Sequence, residues 1–301
     1  MYVCEYIWLD SDGDFRRKTG IREAIAKWDY DGSSTGQADV KNSEIVLSPC
    51  YTIKDPFKTI DGFDCVIVLC ETHNVNGTPH ETNERVKCGI DDCEPWFGFE
   101  QEFFIKVPNE DESNDKYCKN NLDYGREVVE KAFNICLQSG IHLTGMNAEV
   151  APWQWEFQVF GKGIVACDQL LMARYIFKTV LEYSNFDFIL HPKPIINFNG
   201  SGCHVSFSTT SIRDGTYNVE KFMKKFEETH SEDLKVYGVN NNLRLSGTHE
   251  TSSLEKFSWG RSDRSVSVRI RNGYIEDRRP ASNVNPYTVA SRLLEKTLCM
   301  S

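Results

Sequence analysis

The feature that most constrains this sequence is a short segment, residues 96–105, in which aromatic and acidic side chains alternate. A β-strand points successive side chains to opposite faces, so Glu100 and Glu102 share one face. The opposite face is apolar and carries Phe97, Phe99, Phe103 and Ile105. Adjacent carboxylates repel each other, and a bound divalent cation would remove this repulsion. Taken alone, the segment also fits a half-solvated strand with two outward glutamates.

Three further segments place potential metal ligands opposite apolar side chains. The segment 153–159 sets Glu156 and two glutamines against an apolar face of Trp153, Trp155, Phe157 and Val159. Upstream lies Glu149, and His204 stands on the polar side of a further strand. A lone histidine would be an ordinary strand residue, but buried charges must be paired or bound to metal, so four such segments predict a metal site. Oxygen ligands with few histidines favour Mg²⁺ or Mn²⁺ over Zn²⁺.

The C-terminal third supplies positive charge. In the segment 264–270, polar residues that include Arg269 alternate with Val266, Val268 and Ile270. A following run carries Glu276, Asp277, Arg278 and Arg279. The planar guanidinium of arginine binds two oxygens of a phosphate or carboxylate at once, and ion pairing with the glutamates is the alternative role. Metal ions and arginines that face one cavity predict phosphoryl transfer, in which catalysis is mostly positioning and charge stabilisation.

Length and composition exclude several classes of protein. The chain has 301 residues, 40% of them hydrophobic, which suffices for one large core or two unequal domains. A net charge of -10 without any basic stripe argues against nucleic-acid binding. The eleven cysteines are scattered without a Cys-x-x-Cys pair, which indicates reduced thiols. Because no apolar run reaches membrane-spanning length and the start is not basic, we predict a cytoplasmic protein that binds neither nucleic acid nor membrane.

The order of predicted elements indicates an α+β fold in two parts. Residues 1–80 contain short β-type runs without a helical repeat and are predicted as a small sheet domain, and residues 81–301 as a larger α+β domain. The polar run from Asn109 to Asn121 is predicted to be an exposed loop. Start and stop signals predict helices from about Arg126 to Ser139, after Asp168, from the N-cap Asn218 to about 229, and from Asn285-Pro286 onward.

Seven ordered motifs resemble the glutamine synthetases of the eukaryotic type, and together they extend over nearly the whole chain. They are Trp28–Gln37, Glu94–Glu102, Asn147–Val150, Gln154–Gln158, Asn199–His204, Gly247–Thr251 and Glu276–Asn283. The resemblance implies an α+β fold with a small N-terminal β-grasp domain and a larger catalytic domain, whose curved antiparallel sheet is flanked by helices. It also implies an ATP-dependent ligase that joins ammonia to the side-chain carboxylate of glutamate through a γ-glutamyl phosphate, with ATP and Mg²⁺ or Mn²⁺ bound.

The resemblance assigns roles to individual residues. One metal ion would be held by Glu102, Glu149 and Glu156, and a second by Glu100, His204 and Glu276. The phosphates would be steadied by Arg264, which also counts as catalytic, and by Arg269. Further nucleotide contacts are expected from Glu156, Ser206, Ser208 and Tyr274. Glutamate would be held by Asn199, Gly200, Arg244 and Arg278.

Two acidic residues are implied to handle protons. Glu250 would close over the site and accept a proton, and Asp31 would deprotonate ammonium. Asp31 would act in the site of a neighbouring subunit, which implies a homo-oligomer, expected as a decamer of two stacked pentameric rings. Read alone, Asp31 is also typical of a turn or helix cap, and Glu250 of an exposed loop.

Two other functions are alternatives to this ligase activity. The first is a related ligase that joins glutamate to a larger amine. Loss of Asp31 would favour this alternative, but Asp31 is present. A non-catalytic relative would have lost metal ligands, and all six are retained.

The chain also departs from the family pattern at several positions. It begins at its first strand without the usual N-terminal arm, Trp153 replaces a small residue, and Ser206 replaces an asparagine. Leu243 replaces an arginine, the segment 159–163 replaces a glycine-proline loop, and the segments 88–94 and 269–274 are short. None of these changes removes a predicted ligand, so we expect an active enzyme with altered loops.

Overall fold

The computed structural model of the chain describes residues 1–89, 93–120, 124–247 and 251–298. They form two compact units, of which unit 1 comprises Met1–Lys87 with Leu137–Gly140, and unit 2 comprises Cys88–Cys136 with Ile141–Ser301. Helices and sheets both occur, which confirms the α+β class. The domain boundary expected after residue 80 stays a prediction.

Unit 1 contains a five-stranded mixed sheet. Its strands are β1 (Tyr2–Leu9), β2 (Phe15–Arg22), β3 (Trp28–Asp31), β4 (Glu44–Lys54) and β5 (Asp64–Asn74). The order across the sheet is β2-β1-β5-β4-β3, and β1 pairs with β5 in parallel whereas the other pairs are antiparallel. A buried cluster that includes Tyr6, Trp8 and Leu47 covers one face. The short β-type runs that were predicted within residues 1–80 are confirmed by these five strands, all of which lie in that range.

Unit 2 is built on a seven-stranded sheet. Its strands are β6 (Trp96–Phe104), β7 (Leu143–Ala148), β8 (Gln154–Lys162), β9 (Cys203–Ser208), β10 (Trp259–Arg261), β11 (Val268–Arg271) and β12 (Tyr274–Asp277). The order is β10-β11-β12-β9-β6-β8-β7. The expectation of an antiparallel sheet is wrong at one edge, because the short β10 pairs with β11 in parallel. The other neighbouring pairs are antiparallel.

Six helices of unit 2 are described. They are α1 (Arg126–Gln138), α2 (Val165–Tyr183), α3 (Thr210–Arg213), α4 (Val219–Glu228), α5 (His230–Val236) and α6 (Pro286–Leu298). The predicted caps are confirmed, because the Asn218 side chain accepts from the backbone N–H of Lys221, and that of Asn285 from Tyr287. α2 begins three residues before the predicted start at Asp168.

The apolar face of the sheet packs against α2. Phe177 of this helix lies 4.4 Å from Phe157 and 5.4 Å from Phe103, measured between ring centroids. These rings come from the faces of β6 and β8 that were predicted to be apolar. The predicted carboxylates therefore lie on the face of the sheet that α2 does not cover.

One strand boundary differs from the prediction. Trp153 was expected to be the first residue of the strand predicted over residues 153–159, but this strand, β8, begins at Gln154. Trp153 has a φ of +62°, in the left-handed region, so it cannot continue an extended strand.

No helix within the described residues is long and apolar enough to cross a membrane.

Candidate active site

Neighbouring strands of unit 2 bring the predicted ligands side by side. The register pairs Glu100 of β6 with His204 of β9, and Glu102 of β6 with Glu156 of β8. Glu276 of β12 pairs with Ser206, two residues beyond His204 on the same face of β9. Because opposed residues in a sheet lie about 5 Å apart, this register creates a continuous acidic row across four strands.

One group of three side chains has the spacing of a metal site. The ligand atoms of Glu100, His204 and Glu276 all lie within 4.8 Å of one another. Nδ1 of His204 lies 3.4 Å from Oε2 of Glu100 and 4.0 Å from Oε1 of Glu276. Arg269 and Arg278 each donate to the Glu276 carboxylate at 2.6 Å, so the alternative role of these arginines, ion pairing with a glutamate, occurs here.

The second predicted group is held by the sheet and the turn between β7 and β8. The backbone N–H of Gly202 donates to Oε2 of Glu102 at 2.7 Å. Nδ2 of Asn147 donates to Oε1 of Glu149 at 2.9 Å, and Gln158 donates to Glu156. Side-chain amides thus orient the carboxylates without neutralising them.

Crowding and burial perturb the acidity of these groups. Burial, together with the charge of Glu149, raises the pKa of Glu102 to about 8. Burial and the neighbouring Glu156 raise the pKa of Glu149 to about 8. Burial and the charges of Glu100 and Glu102 raise the pKa of Glu156 well above its ordinary value. Crowded, buried carboxylate oxygens are hard ligands, and a divalent ion is the group that this donor set fits.

Two ligands of the other group, Glu100 and His204, respond to the nearby arginines. Burial raises the pKa of Glu100, and the charges of Arg278 and Arg269 act against it. Burial and Arg278 hold the pKa of His204 well below its ordinary value. A neutral imidazole is the form that binds a metal, so the environment of His204 suits a ligand.

Glu100, Glu102, Glu156 and His204 of the acidic row line a cavity of about 520 Å³, together with Glu149. Three predicted arginines line it too, namely Arg264, Arg269 and Arg278. The cavity therefore combines acidic ligands with cations, as the sequence predicted. Four lining residues were not assigned a role from the sequence, namely Tyr117, Asn147, Val150 and Gln158. Asn147 and Gln158 belong to two of the seven motifs and lie on the polar side of their strands. That position is the feature of the sequence from which their role could have been predicted.

An apolar pocket of about 260 Å³ lies further along the same face of β6 and β9. Gly98 and Ser206 are two residues along from Glu100 and His204 in the same register. The pocket contains the predicted nucleotide residues Ser206, Ser208 and Tyr274. It also contains Trp96, Phe160 and Arg213, for which the sequence analysis gave no role.

The other predicted glutamate-binding residues, Asn199, Gly200 and Arg244, lie in tightly packed surroundings. A Cβ atom on Gly200 would lie 2.5 Å from the carbonyl oxygen of Pro192 and 2.6 Å from Cγ of Arg244, so this position requires glycine. Arg244 is buried, and its Nη2 donates to the carbonyl oxygens of Arg278, Arg279 and Pro280. Asn199 accepts a hydrogen bond from Asn114 at 3.3 Å.

Of the two predicted proton acceptors, Asp31 is among the described residues. Asp31 lies in unit 1, where it caps a short 3-10 helix and accepts from the backbone N–H of Ser33 at 3.0 Å. Hydrogen bonds from Ser33 and Ser34 lower the pKa of its carboxyl. The helix-cap interpretation of Asp31 is thus confirmed, and its proton-transfer role stays a prediction. Glu250 lies outside the described residues.

Comparison with known proteins supplies the family. Residues 83–298 match the family described as "Glutamine synthetase, catalytic domain". A relative named "Putative glutamine synthetase" from Acanthamoeba polyphaga mimivirus is 40% identical, and the match covers 99% of this chain and 94% of the relative. "Glutamine synthetase, chloroplastic" from Brassica napus is 38% identical over 98% of this chain and 78% of its own length. "Glutamine synthetase cytosolic isozyme" from Daucus carota is 37% identical, with coverages of 99% and 95%. The chain belongs to the glutamine synthetase family.

Proposed function

We propose that the acidic cavity of unit 2 is the site at which this ligase of the glutamine synthetase family joins ammonia to the γ-carboxylate of glutamate at the expense of ATP. The observation that carries the proposal is the convergence of five carboxylates, one neutral imidazole and three arginines in unit 2, from adjacent strands of its sheet and from the chain segments next to those strands. Phosphoryl transfer to a carboxylate requires such a site, because both reactants are anions that must be held together.

Two divalent ions, Mg²⁺ or Mn²⁺, are proposed for the two groups of ligands. Glu102, Glu149 and Glu156 would hold one ion. Glu100, His204 and Glu276 would hold the other, and their 4.8 Å grouping supports this assignment. When bound, such ions supply positive charge that neutralises phosphate oxygens. The amides of Asn147 and Gln158 orient the carboxylates for this role.

The arginines are proposed to align the reactants. Arg264 and Arg269 would steady the ATP phosphates, and Arg278, with Asn199, Gly200 and Arg244, would hold glutamate. In the first step an oxygen of the γ-carboxylate attacks the γ-phosphorus, and the bond to the ADP oxygen breaks. The product, γ-glutamyl phosphate, carries a good leaving group on its carbonyl carbon. Orientation and charge stabilisation therefore provide most of the catalysis.

Amide formation is the proposed second step. Ammonia attacks the carbonyl carbon of the acyl phosphate, phosphate leaves with the electrons of the C–O bond, and the nitrogen loses a proton. We assign deprotonation of ammonium to Asp31 of a neighbouring subunit and acceptance of the later proton to Glu250. A site shared between chains implies a homo-oligomer, proposed as a decamer of two pentameric rings. The family resemblance supports this arrangement.

The apolar pocket is proposed to hold the adenine base. Trp96, Phe160 and Tyr274 provide aromatic surface, and the guanidinium of Arg213 lies 4.1 Å from the Trp96 ring centroid. A planar base binds between such groups by stacking and cation–π attraction. Its position along β6 and β9 would direct the phosphates toward the acidic row. We further propose a cytoplasmic location, which the likeness to the cytosolic isozyme supports.

The proposed function is tested by phosphate release from ATP. Release should require glutamate, ammonium and Mg²⁺ together, with glutamine as the second product. Glu102→Ala should abolish release, because it removes a ligand. Glu84→Ala, which changes a glutamate of unit 1, provides the control and should leave release intact. Release that ignores ammonium but responds to methylamine or ethylamine would favour the amine ligase, and no release at all would favour a non-catalytic relative.

A further inference from the structure

Trp153 has an unusual backbone conformation for a bulky residue. It stands in the turn between β7 and β8, and its φ of +62° lies in the region that favours glycine. A side chain in this conformation costs about 1–2 kcal/mol relative to the right-handed region. The backbone is held there by the carbonyl oxygen of Trp153, which accepts from the N–H of Ile105 at 3.0 Å. Contacts of the indole must therefore offset the strain.

The indole meets three residues of one chain segment. Nε1–H donates to Oε2 of Glu112 at 3.1 Å. The ring packs edge-on against Tyr124, with centroids 5.1 Å apart. Nζ of Lys106 lies 4.8 Å from the ring centroid, within cation–π range. Lys106, Glu112 and Tyr124 are the start, the middle and the end of the segment 106–124.

This segment needs an external anchor. Its described residues, 106–120 and 124, contain no helix or strand, and most are polar or charged. Such a segment buries little apolar surface and has little intrinsic order. Contacts with a single rigid ring at three separated positions fix its path.

The same segment contributes to the active site. The backbone N–H groups of Lys116 and Cys118 donate to the carbonyl oxygens of Val150 and Ala148, at 2.9 and 3.0 Å, on either side of the metal ligand Glu149. Tyr117, between them, lines the acidic cavity. Asn114 donates to Asn199, which is proposed to bind glutamate.

We infer that Trp153 is a positioning residue for the reaction. Its indole anchors the segment 106–124, and the segment in turn holds Glu149, Tyr117 and Asn199 in place. The inference rests on the proposed function for its link to glutamate, but the anchoring itself is independent of catalysis. Trp153 is a positioning residue and not a catalytic one, because the side chains that its indole contacts belong to the segment and not to the proposed ligands.

The central test compares Trp153→Gly with the wild type. Glycine removes the ring and also relieves the backbone strain, so the loss of positioning is partly separated from loss of stability. We expect KM for glutamate to rise about fivefold, the equivalent of one weakened hydrogen bond, with a smaller change in kcat. Trypsin should cleave after Lys116 and Lys119 faster than in the wild type. Asn185→Gly is the matched control, because Asn185 also has a positive φ, of 58°, but is outside the segment.

Two further variants keep the test decisive if Trp153→Gly folds poorly. Trp153→Phe keeps a ring but loses the N–H donor, and Glu112→Ala loses the acceptor. Each should raise KM and the rate of trypsin cleavage by the same amount, which should be smaller than for Trp153→Gly. The double variant with Trp153→Phe and Glu112→Ala should have the same effect as either single variant, because both remove one hydrogen bond. Glu112→Gln keeps an acceptor oxygen and should restore wild-type behaviour.

The outcomes separate this inference from the proposed function. Wild-type cleavage rates and KM in Trp153→Gly would overturn the inference, as would faster cleavage with an unchanged KM. A wild-type protein that releases no phosphate would instead refute the proposed function. The trypsin comparison would then decide alone whether the indole anchors the segment.

Discussion

At the residue scale, the spacing around Gly200 leaves no room for a side chain. A Cβ atom would overlap the carbonyl of Pro192 and the stem of Arg244, both of which are fixed by packing. We predict that Gly200→Ala destabilises the fold by about 1–3 kcal/mol and sharply reduces activity. Thermal unfolding and phosphate release measure the two effects. Gly89→Ala is the control, because nothing lies within 4 Å of its Cβ position, and an equal effect there would contradict the steric argument.

The perturbed carboxyls predict a pH-dependent effect of metal removal. In the metal-free protein the pKa values of Glu102 and Glu149 are about 8, above the value of about 4.3 in an unfolded chain. The folded state therefore binds protons that the unfolded state releases, so these groups destabilise the metal-free fold increasingly as the pH rises toward 8. A divalent cation replaces these protons.

The thermal midpoint with Mg²⁺ should consequently exceed that with EDTA by more at pH 8.5 than at pH 6. Comparison at each pH cancels the titration of groups remote from the site. Glu102→Gln, which resembles the protonated carboxyl, should unfold like the metal-free wild type at low pH and should lose most of the Mg²⁺ effect. Equal Mg²⁺ effects at both pH values would contradict the prediction.

At the element scale, a buried charge cluster joins α5, α6 and the end of β12. Asp233 of α5 accepts from Arg279 at 3.0 Å and lies 2.9 Å from Nζ of Lys296 in α6. Arg279 also pairs with Asp277 at 2.7 Å, and Asp233, Asp277 and Arg279 are fully buried. The cluster fixes the end of β12, which bears the proposed metal ligand Glu276 and is followed directly by Arg278, a lining residue of the cavity.

Asp233→Asn should therefore weaken both the fold and the site. It removes the carboxylate partner of the buried Lys296 and one of the two carboxylates that pair with Arg279, at a cost of about 3–5 kcal/mol. Burial opposes ionisation of Asp233, but Arg279 and Lys296 hold its pKa below the ordinary value, so its contribution is present at neutral pH and is lost as the pH falls below about 4. Urea unfolding at pH 7 and pH 3 measures this difference. Glu232→Gln changes the exposed neighbouring residue and should have little effect at either pH.

The elements also show which parts of this protein the sequence alone predicts. β6 and α4 were predicted correctly because alternation and helical spacing are local properties of the chain. Trp153 was wrongly included in a strand, because its positive φ is imposed by Ile105 and Glu112, which are remote in sequence. Tyr117 and Arg213 were not identified as site residues for a similar reason. Tertiary structure brings them to their pockets, and no local pattern distinguishes them.

At the scale of the whole molecule, the residues that were predicted to act in catalysis belong to both units. The proposed metal ligands and arginines belong to unit 2, whereas Asp31 belongs to unit 1. The phosphoryl transfer that we propose at the acidic row does not require Asp31. We propose that Asp31 acts only in the second step, so the identity of the chain that supplies it depends on the assembly.

Mixing two inactive variants tests whether neighbouring chains share an active site. Asp31→Ala lacks the proposed ammonium base, and Glu102→Ala lacks a metal ligand, so each homo-oligomer should produce little glutamine. If Asp31 acts on the next chain, random co-assembly of equal amounts should combine an intact Asp31 with an intact Glu102 at about a quarter of the sites. Co-expression, purification through different tags and a glutamine assay measure this recovery, and light scattering gives the size of the assembly. Mixed oligomers without any recovered activity would show that each chain supplies its own Asp31, whereas an Asp31→Ala homo-oligomer with wild-type activity would show that Asp31 is only a helix cap.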